Sequence, residues 1–375
     1  MTERTQRTRS VKSVLAAAGR GDVGLLRRVF SEGTEGLGEP IPAIGDVRDA
    51  QGETVLHRAA KAGQLEALEW LLDQPGVDCN IRDTNYKSPL MLAAAEGNAN
   101  CVSCLLSRGA LVHAWKPNAW DALMYAAAHG HTECVRLLLD AGAPVDHCTH
   151  EGATSLYVAC RGGWVDTCLE LLARGAPPSM PTATGRTPAH AAVMESHPAV
   201  LSALLSHGAD CNAVDGTGKT LLHMAGMHGS DADMVQQLLS PMDEAHRIAV
   251  DSLQRTAVHL AAVAGHAETV DALLSSPLCG TTLLEQRDAH GCTALYLAAV
   301  KGHERVVECL LSYGADPETA TDRRTALHCA CLWGHRAVAD RLAQAGASWD
   351  AVDAEGRSAR DIAREVWQTG GGEDS

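Results

Sequence analysis

Along most of the chain, short apolar runs recur in pairs. The first member is dense in Ala and Leu, as in LHRAAKAG (56–63) and VHLAAVAG (258–265). The second carries Leu pairs, as in ECVRLLLDAGA (133–143) and ERVVECLLSYGA (304–315). Apolar positions three and four apart predict two short helices per pair, and Gly just past the last turn predicts where each helix stops. A Thr or Ser before the first run supplies an N-cap.

The pairs are copies of one unit. ETVLHRAAKAG (53–63), KSPLMLAAAEG (87–97), WDALMYAAAHG (120–130), ATSLYVACRGG (153–163) and RTPAHAAVMES (186–196) align with KTLLHMAGMHG (219–229), RTAVHLAAVAG (255–265), CTALYLAAVKG (292–302), RTALHCACLWG (324–334) and RSARDIAREVW (357–367). The equivalent capping positions are Thr54, Ser88, Asp121, Thr154, Thr187, Thr220, Thr256, Thr293, Thr325 and Ser358, at spacings of 34, 33, 33, 33, 33, 36, 37, 32 and 33. One such unit cannot bury its own apolar face. Stacked units can, with contacts almost all between neighbours.

The repeat resembles the ankyrin repeat, whose consensus runs D-x-x-G-x-T-P-L-H, A-A-x-x-G-H and L-L-x-x-G-A-D-x-N. The resemblance covers residues 47–367 and implies an all-α repeat solenoid: stacked helix-turn-helix units joined by β-hairpin-like loops, about ten in number, the last partial. Residues 13–30 resemble a degenerate capping repeat, 31–46 read as a Gly/Pro-rich linker, and 1–12 and 368–375 read as disordered tails, the first of them basic. The spacings of 36 and 37 place extra residues at 240–250 and 275–286, where longer loops are expected.

Composition suits thin layers. Hydrophobic residues make up 46% of the 375, yet the chain has one Phe, seven Trp and five Tyr, leaving the interior to Ala, Leu and Val. The net charge of −15 disfavours nucleic acid and anionic membrane; residues 1–28 carry +5 and the rest −20. Neither a signal-peptide core nor an apolar run long enough for membrane insertion is present, so a soluble protein of the cytoplasm, or alternatively the nucleus, is expected, monomeric on its own. The odd number of cysteines, thirteen, reads as free thiols.

Several motifs invite an enzymatic reading. GTGKT (216–220) lacks the first Gly of a phosphate-binding loop, Ala213 standing there, and Thr220 is the capping Thr of a repeat. Cys101 and Cys104 form a CxxC, but alignment assigns both to apolar repeat positions, so no metal and no cofactor is expected. The resemblance gives His57, His190, His223, His259 and His328 the TPLH place and a structural role. Asn80 and Asn212 hold the hairpin Asn that an asparaginyl hydroxylase modifies in some members of the family; satisfying hairpin backbone is the plainer reading.

Function then rests on surfaces. In this family hairpin tips and inner-helix ends form a concave face that binds proteins, which nominates Tyr86, Lys87, Glu96, His129, Arg161, Met194, Met227 and Trp333. The tip AWKPNAW adds Trp115, Lys116, Asn118 and Trp120, where an exposed Trp serves binding and a folded-back Trp replaces the absent turn Gly. The expected function is a non-enzymatic scaffold or adaptor. The alternative is a substrate-recognition subunit of a ubiquitin ligase, although the residues after 367 are too few for an appended box; a nucleotide-binding enzyme using GTGKT is the remote alternative.

Overall fold

The computed structural model describes residues 3–31, 44–113, 120–277, 280–321 and 323–369. Two compact units divide at residues 183 and 184.

In the first unit, α1 (Glu3–Arg20) and α2 (Val23–Ser31) precede four helical pairs: α3 (Val55–Lys61) with α4 (Leu65–Leu72), α5 (Pro89–Ala95) with α6 (Ala99–Ser107), α7 (Ala122–Ala128) with α8 (Thr132–Asp140), and α9 (Ser155–Gly162) with α10 (Val165–Ala173). Two layers result. Helices α1, α3, α5, α7 and α9 pack in succession as the inner layer, and α2, α4, α6, α8 and α10 as the outer. The cap was expected to begin at residue 13, but its helix starts at Glu3, inside the stretch assigned to a disordered tail. Its Glu, Arg, Gln and Lys residues are strong helix formers, so a helix anchored by buried Val14, Leu15, Ala17 and Ala18 extends backwards through them.

The second unit repeats the plan with α11 (Pro188–Met194), α12 (Pro198–Ser206), α13 (Leu221–His228), α14 (Ala232–Leu239), α15 (Glu244–Arg247), α16 (Ala257–Ala264), α17 (Ala267–Ser275), α18 (Ala294–Lys301), α19 (Glu304–Ser312), α20 (Ala326–Leu332), α21 (Arg336–Gln344) and α22 (Ala359–Thr369). The two insertions are partly structured: one holds the short α15 and the other a 3-10 turn, Gly280–Leu283. Asp243 nucleates the former by accepting from the His246 N–H at 2.9 Å.

From α3 on, each inner helix starts on a capping residue. Asp121 accepts from the Met124 N–H at 2.8 Å, Thr154 from Tyr157 at 3.1 Å and Thr293 from Tyr296 at 3.3 Å. Where His occupies the third helical position, its Nδ1 accepts the capping residue's own N–H, at 3.1 Å for Thr54–His57 and Thr220–His223. Nε2 therefore carries the proton and donates it to the next hairpin, reaching Lys87 O at 3.0 Å from His57 and Arg255 O at 2.8 Å from His223. Burial pushes the imidazoles of His57, His190, His223 and His259 below their ordinary value.

Single antiparallel bridges such as Arg48 with Thr54 and Val214 with Thr220 close the hairpins; the described residues contain no longer strand. The core is Leu and Ala: Leu68, Leu105, Leu138 and Leu171 of the outer helices and Ala59, Ala93, Ala126 and Ala159 of the inner ones are fully enclosed. Small side chains let inner helices approach closely. At Gly226 a Cβ would lie 2.4 Å from Ala257 O on the neighbouring helix, so not even Ala fits there without displacement.

Candidate protein-binding surface

The second hairpin tip of the first unit is held by its Asp. One Asp83 oxygen accepts the N–H groups of Asn85 and Lys87, each at 2.8 Å, while Thr84 donates its N–H and its hydroxyl to Gln51 O at 2.9 and 2.7 Å. In this frame Tyr86 takes the place other units give to Gly and adopts φ 60°, a left-handed conformation unfavourable for a residue with a Cβ. Its ring stands 51% exposed.

Lys87 turns toward the next repeat and sets its Nζ 5.0 Å from the centre of the Tyr125 ring. Trp120 approaches that tyrosine too, with ring centroids 5.2 Å apart and planes tilted by 54°. Lys87, Tyr125 and Trp120 thus form one contiguous cluster beside the exposed Tyr86. Trp120 is half-buried, so its ring leans back over its own repeat while keeping a face to solvent. Beneath it, burial pushes the Asp121 carboxyl above the usual carboxylate range, although the N–H groups of Met124 and Leu123 and the imidazoles of His147 and His113 oppose this. Trp115, Lys116 and Asn118 lie outside the described residues.

At the far end of the inner helices, the residue after the terminating Gly reaches back to the preceding unit in several repeats. His131 Nε2 donates to Ala95 O at 3.1 Å, and Asn98 donates to Ala60 O and Lys61 O at 2.9 Å each. Trp164 does the same through its indole N–H, 2.9 Å from Ala128 O, with its ring 42% exposed. Gly162 makes room for it: a Cβ there would lie 2.3 Å from Trp164 Nε1. Sequence reasoning missed Trp164 and Tyr125. Both were detectable as aromatics in alignment columns that elsewhere hold polar or aliphatic side chains, Trp164 replacing the His of Gly-His.

The remaining candidates are spread along the repeats. Glu96 and Arg161 are exposed at the ends of α5 and α9, and His129 stacks on His131 with ring centres 6.1 Å apart. In the second unit Met194 is half-buried, Met227 is exposed and Trp333, just past α20, is 63% exposed. Asn80 and Asn212 serve the hairpins: Asn80 accepts from Leu111 N–H at 2.7 Å and donates to Gly109 O at 3.3 Å, and Asn212 accepts from Asp243 N–H at 3.2 Å.

The motifs with enzymatic overtones are absorbed by the fold. In GTGKT the N–H groups of Thr217 and Lys219, which a phosphate cradle would need, both donate to Asp215 Oδ1, at 2.8 and 3.0 Å. Lys219 Nζ donates to Thr217 Oγ1 at 2.7 Å. An internal carboxylate thus sits where a phosphate would bind. Cys101, on the buried side of α6, is enclosed, and burial pushes its thiol up to about 11, the behaviour of a small apolar side chain.

Comparison with known proteins matches this architecture. The family description "Ankyrin repeats (3 copies)" fits residues 56–147, 141–215, 208–281 and 277–353, and "Ankyrin repeats (many copies)" fits 14–72. Mouse Synphilin-1 is 30% identical over 106 residues, 28% of this chain and 10% of that protein. The E3 ubiquitin-protein ligase KEG of Arabidopsis thaliana is 28% identical over 95 residues, covering 25% and 6%, and the probable E3 ubiquitin-protein ligase XBOS31 of rice 46% over 59, covering 16% and 13%. The chain therefore spans a small fraction of these relatives. The crystal structure of the human ASB11 ankyrin repeat domain superposes with a TM-score of 0.54 at 27% identity, covering 61% of this chain and 97% of that one. With family matches running almost without break from residue 14 to residue 353, on a structure of stacked helical pairs and bridged hairpins, the chain belongs to the ankyrin-repeat family.

Proposed function

We propose that this protein is a non-enzymatic interaction scaffold and that its first unit takes a partner protein on the hairpin tips around Tyr86, Lys87, Tyr125 and Trp120. The observation that carries the reading is Tyr86, a large aromatic held outward on a rigid tip in a backbone conformation that Gly would adopt without cost. Immobilised Tyr and Trp contribute contact area at little entropic cost, and Arg- and aromatic-rich clusters dominate binding energy at interfaces. The free thiols of the described cysteines suit a reducing intracellular compartment.

Affinity purification with mass spectrometry tests this, comparing the wild type with Tyr86→Ala plus Lys87→Glu. The double variant is expected to lose specific partners by roughly tenfold or more while melting within about 2 °C of the wild type, as exposed substitutions do. An identical partner set at equal stability would remove this patch from the binding surface. A second reading, substrate recognition for a ubiquitin ligase, draws on the two ligases among the relatives. It is checked in the same purifications: ubiquitin-transfer activity that follows the wild type would support it, and its absence would set it aside.

A further inference from the structure

We propose that the end face formed by α22 is a second docking site, one for an acidic segment of a partner protein with a large apolar anchor residue. It is separate from the tip patch of the first unit. A cleft of about 370 Å³ opens there between Trp349, Arg360, Ala363, Arg364, Trp367 and Gln368.

The chemistry of this face departs from every other repeat. Two and six residues after the cap, the other inner helices carry small or aliphatic side chains, for example Leu327 and Cys331 on α20 and Leu295 and Ala299 on α18, all buried. The sixth position faces the unit's own second helix, as the 3.6 Å between the Cys160 and Cys168 sulfurs shows. On α22 these places hold Arg360 and Arg364, both exposed. A following apolar helix would leave two guanidinium groups desolvated, so the face is unsuited to another helical pair of the same kind.

Plain solvation explains the arginines but not the tryptophans between them. Trp349 and Trp367 meet edge to face, centroids 6.2 Å apart at 84°, and form a corner. Arg336 roofs that corner, its guanidinium 5.2 Å from the Trp367 ring centre and donating to Trp367 O at 3.2 Å. The Trp367 indole N–H, shielded from water, has no acceptor among the described residues. With Arg360 already paired, the cations Arg336 and Arg364, an indole donor without an acceptor among the described residues and an aromatic corner call for an anionic occupant with an apolar anchor. Of the nearby carboxylates, Asp350 pairs with Arg360 at 3.0 Å and Asp361 accepts from the Ser358 hydroxyl at 2.6 Å, while Glu365 follows Arg364 in sequence. Perpendicular rings offer no parallel slot for a planar base, which favours a peptide over a nucleotide.

The test is a pooled peptide library, Asp-Glu-X-Asp-Glu-X with X each large apolar residue, panned on the full chain beside its Lys-Arg counterpart. Acidic peptides are expected to be enriched at least tenfold over basic ones, and Arg364→Glu is expected to abolish that enrichment without altering the melting temperature. Tyr86→Ala plus Lys87→Glu should leave it intact, so failure here and failure of the tip patch are distinguishable. No enrichment, or enrichment indifferent to Arg364→Glu, overturns the proposal, as does displacement of bound peptide by ATP at matched ionic strength. A tenfold gain in affinity on removing residues 370–375 would instead make the chain's own acidic tail the occupant and overturn the assignment to a partner.

Discussion

Tyr86 shows how a single residue can work against its fold. A non-Gly residue in the left-handed region costs about 1 kcal/mol or more, and three residues of this kind occur among those described: Tyr86, Ser196 and Gln254. Tyr86→Gly should therefore raise stability by about 1 kcal/mol, seen as a higher urea midpoint with an unchanged slope, while weakening the first-unit partner. A loss of stability instead would show that the ring packs and does not merely project. Capping Thr and buried TPLH His were legible in the sequence because each answers a local requirement that the alignment repeats. Contacts such as Lys87 on Tyr125, or the indole of Trp164 on a carbonyl one repeat back, were not, because they depend on how far one repeat is offset from the next.

At the scale of the element, the histidines tie each inner helix to the following hairpin in their neutral form. The folded value of His57, His190, His223 and His259 lies below the unfolded value of about 6.5, so the unfolded chain binds protons more readily at mildly acid pH. Their contribution is complete above about pH 6.5 and is lost as the pH falls through the lower folded values. The hairpin carboxylates work in a more acid window. Asp215 and Asp251 are held below the ordinary carboxylate value despite their burial, by Thr217 and Lys219 in one case and Arg255 in the other, and fail only on stronger acidification. Melting temperature measured from pH 7.5 to 5.0 should drop before Asp215 and Asp251 are protonated; a flat profile would contradict the neutral, proton-donating histidines. Helix identity, caps and order were all readable in advance. The early start of α1 and the small helix inside the first insertion were not, since both lie where the repeat pattern is silent and only local propensity decides.

For the whole molecule, neighbour-only packing makes damage local. Leu105→Ala empties a fully enclosed site between outer helices and should cost about 2–5 kcal/mol. Hydrogen exchange should report that loss in α4, α6 and α8, while amides of α18 to α21 keep their protection. Uniform loss across all repeats would reveal an all-or-none fold instead.

The donors that follow the terminating Gly in five repeats carry a last implication. An amide in Asn98, an imidazole in His131, His303 and His335 and an indole in Trp164 close the same joint onto the same backbone position one repeat earlier, the carbonyls of Lys61, Ala95, Val263, Val300 and Ala128 respectively. A joint that accepts three chemistries asks only for a proton at the right height, and it cannot sense how many copies lie beyond its neighbour. Cutting out residues 88–120 would join Lys87 to Asp121 and present the Trp164 and His131 joints with familiar partners, Ala128 and Lys61. Length is thus a free variable of this architecture: whole repeats can be gained or lost by recombination without redesigning a contact, whereas half a repeat cannot.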